Sequence, residues 1–459
     1  MAAHAKELPS VFHPAAFSTF RFLSRELDAQ GHVTLRYALD EQISFVEEFD
    51  IPIDRVLSVA ERERVDGLLS LLHWVGGVSY FKTAAPLEVI CESGEPTAAV
   101  AALLEALYSE GLGEFAFTNA LDELPRPRFP IAAASPASQP RESQEPGLRR
   151  VLVPVGGGKD SAVAIEIMRH AGLEVGLFSI GEAPPILRTA KAAELPHLIA
   201  RRRLDPRLSE LNRTGALNGH IPITAIVSLV ALLTAALNGF DSVAMANERS
   251  ASAGNLSWDG IEVNHQFSKG LRAERLLSAA ITEVGAGVRL FSILRPASEL
   301  AIARAFARME PYHRAFTSCN AIFRIDPALR AASWCCDCPK CRFVFLALAP
   351  FSSPEHLREV FGRDLLDEED QFEGFALLTA TGGHKPFECV GEEQESLAAI
   401  RMLAQDERWS SHSVVRRLVA EVLSMQGPES GRPKAIMALS EEHDVPAALM
   451  GDVRALLGS

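Results

Sequence analysis

The sequence predicts an α/β protein built on a doubly wound parallel sheet, with an N-terminal α+β domain and a C-terminal helical region. Three observations predict this. Residues 151–155 are a short apolar run, followed by Gly156, Gly157 and Gly158 and then by apolar residues at helical spacing, Val163, Ile167, Met168 and Ala171. This is a buried strand, a glycine turn and a helix. Further strand-like runs at 173–179, 197–204, 242–245 and 288–293 alternate with helical stretches, the pattern of βαβ units with right-handed crossovers. The uncharged stretch 221–240, with Gly239 at its end, reads as a helix buried against such a sheet. It is also long enough to cross a bilayer. Its Pro222, Thr224, Ser228, Thr234 and Asn238, and the strand that follows at once, favour the buried helix.

Taken in order, the chain divides into four parts. Residues 1–123 form the α+β domain: a hairpin from 33–39 and 43–51, an amphipathic helix at 60–74 with Val65, Leu68, Leu69 and Leu72 on one face, and a second helix at 97–109. Between the helices, residues 76–82 carry Tyr80 and Lys82, either in a loop for a phosphate or carboxylate or in a glycine turn into a strand. Residues 124–149 are a linker rich in Pro, Ser and Ala. Residues 150–350 are the central domain. Residues 351–459 are polar, with helices at 355–361, 392–404 and 411–424. A connecting loop with Gly382, Gly383, His384 and Lys385 would close on a site or merely join two helices.

Composition bounds the function. The 459 residues carry 45 Lys and Arg against 59 Asp and Glu, a net charge of −14. Such a chain lacks the electrostatic footprint of a nucleic-acid binder. The first ten residues, MAAHAKELPS, have no apolar core, so no signal peptide is expected and the cytoplasm is the expected location. Seven cysteines, four of them clustered, indicate a reduced compartment and a metal, not a disulfide framework.

The loop Gly156-Gly157-Gly158-Lys159-Asp160-Ser161 is the chemical centre of the chain. Glycines let backbone N–H groups close on an anion, and the helix that follows adds unpaired N–H groups and the positive end of its dipole. A Walker A loop requires Ser or Thr where Asp160 stands, and the dinucleotide fingerprint requires Gly where Ser161 stands, so both templates fail. A plain glycine turn is the remaining bland alternative. The loop resembles that of the PP-loop ATP pyrophosphatases, usually S-G-G-x-D-S, with Gly156 in place of the first Ser. That resemblance implies cleavage of ATP between its α- and β-phosphates. Gly156, Gly157, Gly158, Lys159 and Ser161 would contact phosphate and Asp160 would lie near Mg2+. The strand ends supply further nucleotide candidates: Ser179 and Gly181 for the adenosine, then Asn247 and Arg249.

Cys335, Cys338 and Cys341 stand at C-x2-C-x2-C, and Cys319 can supply a fourth thiolate. Four thiolates make a closed tetrahedral zinc site. The arrangement resembles the zinc site of 7-cyano-7-deazaguanine synthases, also PP-loop enzymes, except that Cys336 stands where they usually have Gly.

The whole chain resembles the UDP-N-acetylmuramoyl-L-alanyl-L-glutamate epimerases. The resemblance rests on residues 153–161, on the stretch from Asn247 through Lys269 and on the flanking regions. It implies ATP-dependent inversion of a terminal L-glutamate on a UDP-linked cell-wall precursor, releasing AMP and diphosphate. Converting the carboxylate to an acyl-adenylate removes its charge and lets the α-proton leave as an enolate forms. Candidates for the proton-transferring group are Cys336, His265 and His384, with His265 in the polar stretch 264–269. Lys82, Arg249, Lys269 and Lys385 are candidates for a local basic site that takes the anionic substrate. The alternative function is another PP-loop adenylating synthetase, forming an amide, nitrile or thiolated product from a small carboxylate.

Overall fold

The computed structural model describes residues 10–53, 55–133, 147–258, 260–324, 327–381 and 385–458. Residues 134–146 of the expected linker, and Gly382, Gly383 and His384, lie outside them. The protein is mixed α/β. Its principal strands are β1 (Thr19–Leu27), β2 (His32–Leu39), β3 (Ile43–Asp50), β4 (Glu88–Cys91), β5 (Arg150–Pro154), β6 (Glu174–Ile180), β7 (His197–Arg203), β8 (Ser242–Met245) and β9 (Arg289–Ser292). The chain forms two compact units, neither contiguous in sequence. One contains the residues up to Leu152, with Leu198–Val243 and Trp258–Leu290. The other contains Val153–His197, Ala244–Ser257 and the residues from Phe291 onward.

In the first unit, β1, β2 and β3 form an antiparallel meander, with β4 parallel to β1 and β7 antiparallel to β3, in the order β7-β3-β2-β1-β4. The sequence reading found the β2–β3 hairpin but not β1. A register shift between Phe22 and Ser24 breaks the two-residue alternation on which that reading depends. Helix Val59–Gly76 starts at Ser58, whose hydroxyl accepts from the Glu61 N–H while the Glu61 carboxylate accepts from the Ser58 N–H. It packs on helix Ile223–Asn238. The latter buries Leu229, Leu232, Leu233 and Leu237, each contributing about 1.5–3 kcal/mol. Arg55 closes its end by donating to the carbonyls of Ala236 at 2.8 Å and Leu237 at 2.9 Å, and Gly239 takes the left-handed conformation at φ 70°. Among the described residues no helix is long and apolar enough to cross a membrane. Segment 76–82 is neither loop nor strand: Val78–Phe81 is one helical turn. Gly77 permits it, because a Cβ there would come within 2.5 Å of the Phe22 ring.

The second unit holds the carboxyl ends of strands in the order β9-β8-β5-β6. Leading out of β5, helix Lys159–His170 packs on helix Glu299–Phe306. The helices Pro339–Leu348 and Glu393–Gln405 also pack on each other. The stretch expected as one helix over 411–424 is broken into an α segment Ser413–Arg417, a π segment Leu418–Val422 and a 3-10 turn Leu423–Met425.

Candidate functional site

The glycine loop lies in the second unit at the carboxyl end of β5. Gly157 has φ 85°, and a Cβ on it would meet Pro185 at 2.6 Å, so glycine is required there. Its carbonyl accepts from the Thr317 N–H at 2.8 Å. A Cβ added at Gly156 would meet nothing within 4 Å. Gly158 is the N-cap of the following helix and brings no side chain to its first N–H groups. The positive end of the helix dipole at this point favours negative charge. The Ser161 hydroxyl donates to the Gly158 carbonyl at 3.0 Å.

Lys159 is 1% exposed, and its ammonium lies between the carboxylates of Asp160 and Glu299. Burial opposes the charge, but Asp160 and Glu299 overcome it and hold the amine above the ordinary lysine range. Glu299 is buried in turn, and its N–H donates to Glu395 at 2.7 Å. Burial, with Glu299 and Glu392 nearby, pushes the Glu395 carboxyl up to about 8. The Lys340 ammonium donates to the Cys389 carbonyl, and Asn255 donates to Pro386 at 2.8 Å, anchoring the segment around Lys385. Lys385 is 2% exposed and burial lowers its pKa, with acidic neighbours Glu392, Glu395, Glu393 and Glu248 opposing. Sequence reasoning missed Glu299 and Glu395. Glu299 follows Ser298, an N-cap, and Glu395 belongs to a capping box with Glu392. Both therefore look like ordinary helix-start acids until their partners are known.

The remaining nucleotide candidates of this unit are held firmly. The Ser179 hydroxyl bonds the Gly181 carbonyl and His197 Nε2, both at 2.9 Å. Asn247 donates to Ser292 at 3.0 Å. Arg249 reaches the carbonyls of Ile436 at 2.9 Å and Ala438 at 3.1 Å, so its guanidinium fastens the C-terminal segment.

Cys319, Cys335, Cys338 and Cys341 converge, with all four sulfurs within 4.8 Å of one another. Cys341 Sγ lies 3.5 Å from Cys338 Sγ and 3.8 Å from Cys335 Sγ. Hydrogen bonds from Cys338 and Cys341 push the Cys319 thiol down to about 3. Cys336 is turned elsewhere. It sits at φ 59°, 2% exposed, with its sulfur 3.3 Å from the Phe361 carbonyl. Burial pushes its thiol up to about 11.

His265 lies in the other unit. Its Nδ1 bonds the Glu114 carboxylate, and His220 Nδ1 is 4.0 Å from the same oxygen. The two imidazole centroids are 4.3 Å apart. Burial, then the charges of His265 and nearby Lys269 and Lys82, push His220 down to about 4, against an opposing pull from Glu114. Lys82, also of this unit, is 7% exposed and donates to Asn218 Oδ1 at 2.5 Å and to the Gly219 carbonyl at 3.1 Å. Burial pushes its amine down to about 8. Lys269 donates to Gln266 at 3.3 Å. The structure thus brings Lys82 and His265 into one unit and Lys385 and Cys336 into the other.

Two family descriptions match the chain: MurL N-terminal domain over residues 11–293 and MurL C-terminal domain over residues 315–432. A UDP-N-acetyl-alpha-D-muramoyl-L-alanyl-L-glutamate epimerase of Xanthomonas oryzae pv. oryzae is 44% identical over 450 residues, 97% of this chain and 99% of that protein. Proteins of the same name from a Micromonospora species and from Salinispora tropica are each 46% identical, over 88% of this chain and 90% and 88% of their own lengths. No solved structure matches.

Proposed function

We propose that this chain, which belongs to the UDP-N-acetyl-alpha-D-muramoyl-L-alanyl-L-glutamate epimerase family, is an ATP-dependent isomerase. It inverts the terminal L-glutamate of UDP-MurNAc-L-Ala-L-Glu in cytoplasmic peptidoglycan precursor synthesis. The observation that carries the reading is identity of 44% spread over 97% of the chain, which includes both the glycine loop and the thiol cluster. The ATP step rests on the loop, and the fold that goes with it is the doubly wound PP-loop type. A glutamate carboxylate oxygen attacks the α-phosphorus of ATP, and diphosphate leaves. Gly156, Gly157, Gly158 and the N–H groups of the new helix hold the departing phosphates, with Ser161 and Lys159 beside them. Ser179 and Gly181 flank the adenosine. The Lys159 charge is fixed by Glu299, so the loop's electrostatics are set before ATP arrives. Asp160, whose side chain is 25% exposed, fits Mg2+ or its waters, and the ion would share the triphosphate charge. The four converging sulfurs fit Zn2+, which would serve as a closed structural site. The acyl-adenylate has lost the carboxylate charge, so its Cα–H is acidic enough to exchange. Water then attacks the mixed anhydride and releases AMP.

Incubation with ATP and UDP-MurNAc-L-Ala-L-Glu, with nucleotide chromatography and chiral analysis of the released glutamate, tests the reading. AMP, diphosphate and D-glutamate are expected, and Asp160→Ala should abolish all three. ADP as product would overturn the PP-loop assignment. AMP formed only with added ammonia, and an unchanged L centre, would replace the epimerase by an amide synthetase. Elemental analysis of protein purified without chelating resin should find about one zinc per chain, lost in Cys338→Ser.

A further inference from the structure

A UDP-linked dipeptide offers binding energy at its nucleotide end, remote from the glutamate that reacts. On the reading above, the glycine loop takes ATP and leaves that nucleotide without a site. The second unit contains a cavity of about 450 Å³, within the roughly 300–1,000 Å³ of small-molecule sites. One wall is the segment that backs the glycine loop: the Thr317 N–H donates to the Gly157 carbonyl at 2.8 Å, and Ser318 lies beside Gly158. Arg188, on helix Pro184–Ala193, reaches the same segment, donating from Nε to the Ala315 carbonyl at 3.1 Å and from Nη2 to the Thr317 hydroxyl at 3.2 Å. These bonds fix the guanidinium plane, and among the described residues Nη1 makes none. Arg314 adds a second, exposed guanidinium. His313 and His356 also line the cavity. The Phe306 carbonyl can only accept, so His313 Nε2 donates to it at 3.0 Å, and His313 Nδ1 accepts from His356 Nε2 at 2.9 Å. The apolar wall is Phe316 and Trp334, with ring centroids 5.2 Å apart. Glu359, exposed, is the one acid among the lining residues. In a chain of net charge −14, two guanidiniums against one carboxylate make this cavity complementary to an anion. Fastening the 315–317 segment accounts for Arg188 but for neither Arg314 nor the open volume. A lone glutamate carboxylate would match one guanidinium and fill little of the space. A diphosphate brings a charged phosphoryl group for each arginine, whose fork fits phosphate oxygens.

We propose that this cavity is the subsite for the diphosphate of the UDP-linked substrate, with Arg188 and Arg314 holding its phosphoryl groups. The proposal rests on the epimerase reading above. It is a binding role: no bond forms or breaks in the cavity. Its effect is to hold the substrate in the same unit as the glycine loop, which spares part of the entropy of bringing the glutamate carboxylate to ATP.

The test uses the full-length protein. Binding of UDP alone is measured by titration calorimetry, and KM values for UDP-MurNAc-L-Ala-L-Glu and for ATP by steady-state kinetics. Arg314→Met should weaken UDP binding at least about tenfold, the loss of one charge-assisted contact. It should raise KM for the UDP-linked substrate by a similar factor and leave KM for ATP within about threefold. Arg188→Lys keeps the charge but not the fork, and should also weaken UDP binding; Arg314→Gln serves if Arg314→Met does not fold. Wild-type UDP affinity in the folded variants would overturn the proposal. So would a parallel rise in KM for ATP, which would make the cavity part of the ATP site. Weakened binding of the dipeptide L-Ala-L-Glu with UDP binding unchanged would overturn it too, by assigning the arginines to a carboxylate. Wild-type protein that forms no D-glutamate would instead bring down the epimerase reading, while the UDP titration still decides the subsite.

Discussion

Lys159 and Lys82 are both buried, at 1% and 7% exposure, yet their surroundings drive them in opposite directions. Lys159 lies between two carboxylates that hold it charged. Lys82 has an amide oxygen and a backbone carbonyl for acceptors, and burial lowers its amine to about 8. The same side chain is a fixed charge in one unit and a titratable amine in the other. What separates them is whether the fold supplies a counter-charge before a ligand arrives. A paired lysine is held as a fixed cation, and a buried lysine with neutral acceptors titrates closer to neutrality.

The largest effect should come from breaking the paired site. Lys159→Met leaves Glu299 buried beside Asp160 with its cation gone, and should cost about 3–5 kcal/mol in urea unfolding, as well as AMP formation. The double variant Lys159→Met with Glu299→Gln should recover most of that stability but none of the activity. A single-variant cost below about 1 kcal/mol would break the contrast.

Lys82→Met should act through pH. The folded-state value of about 8 lies below the roughly 10.4 of an unfolded lysine. Between these values the unfolded chain binds more protons, so wild-type stability rises as pH increases from about 8 to about 10.4. The Lys82 penalty is fully present below pH 8 and absent above about 10.4, a difference of about 3 kcal/mol. His220, at about 4, titrates below this window, and its neighbours in the cluster are Glu114, His265 and Lys269. Denaturant melts of Lys82→Met across this range should lack the slope. A slope that persists would assign it to another group.

The smallest effect concerns the loop that carries Lys159. In Gly156→Ser the added Cβ meets nothing within 4 Å, so the melting midpoint should stay within about 2 °C of wild type, corresponding to less than about 0.5 kcal/mol. AMP formation should persist. A large loss would mean that the position is restricted by bound phosphate and not by the protein.

The loop, the C-x2-C-x2-C thiols and the strands around them were legible because each is a short local pattern. Strand, glycines and helix follow one another within residues 150–170, and the predicted run at 242–245 coincides with β8. Strand β1 was lost to its irregular register, and the turn at Val78–Phe81 to a pair of glycines that usually signal a loop. The thiols were visible by spacing, but the turning away of Cys336 was not, because it depends on a backbone φ of 59° and on the Phe361 carbonyl. The sequence by itself therefore determined the chemistry of contiguous segments, where residue type and spacing act through local backbone geometry. Only the tertiary structure decided which charges are paired. Glu299 reaches Lys159 across 140 residues and Glu114 reaches His265 across 151. Such partners are chosen by packing and burial, which fall off with distance in space and carry no periodicity along the chain.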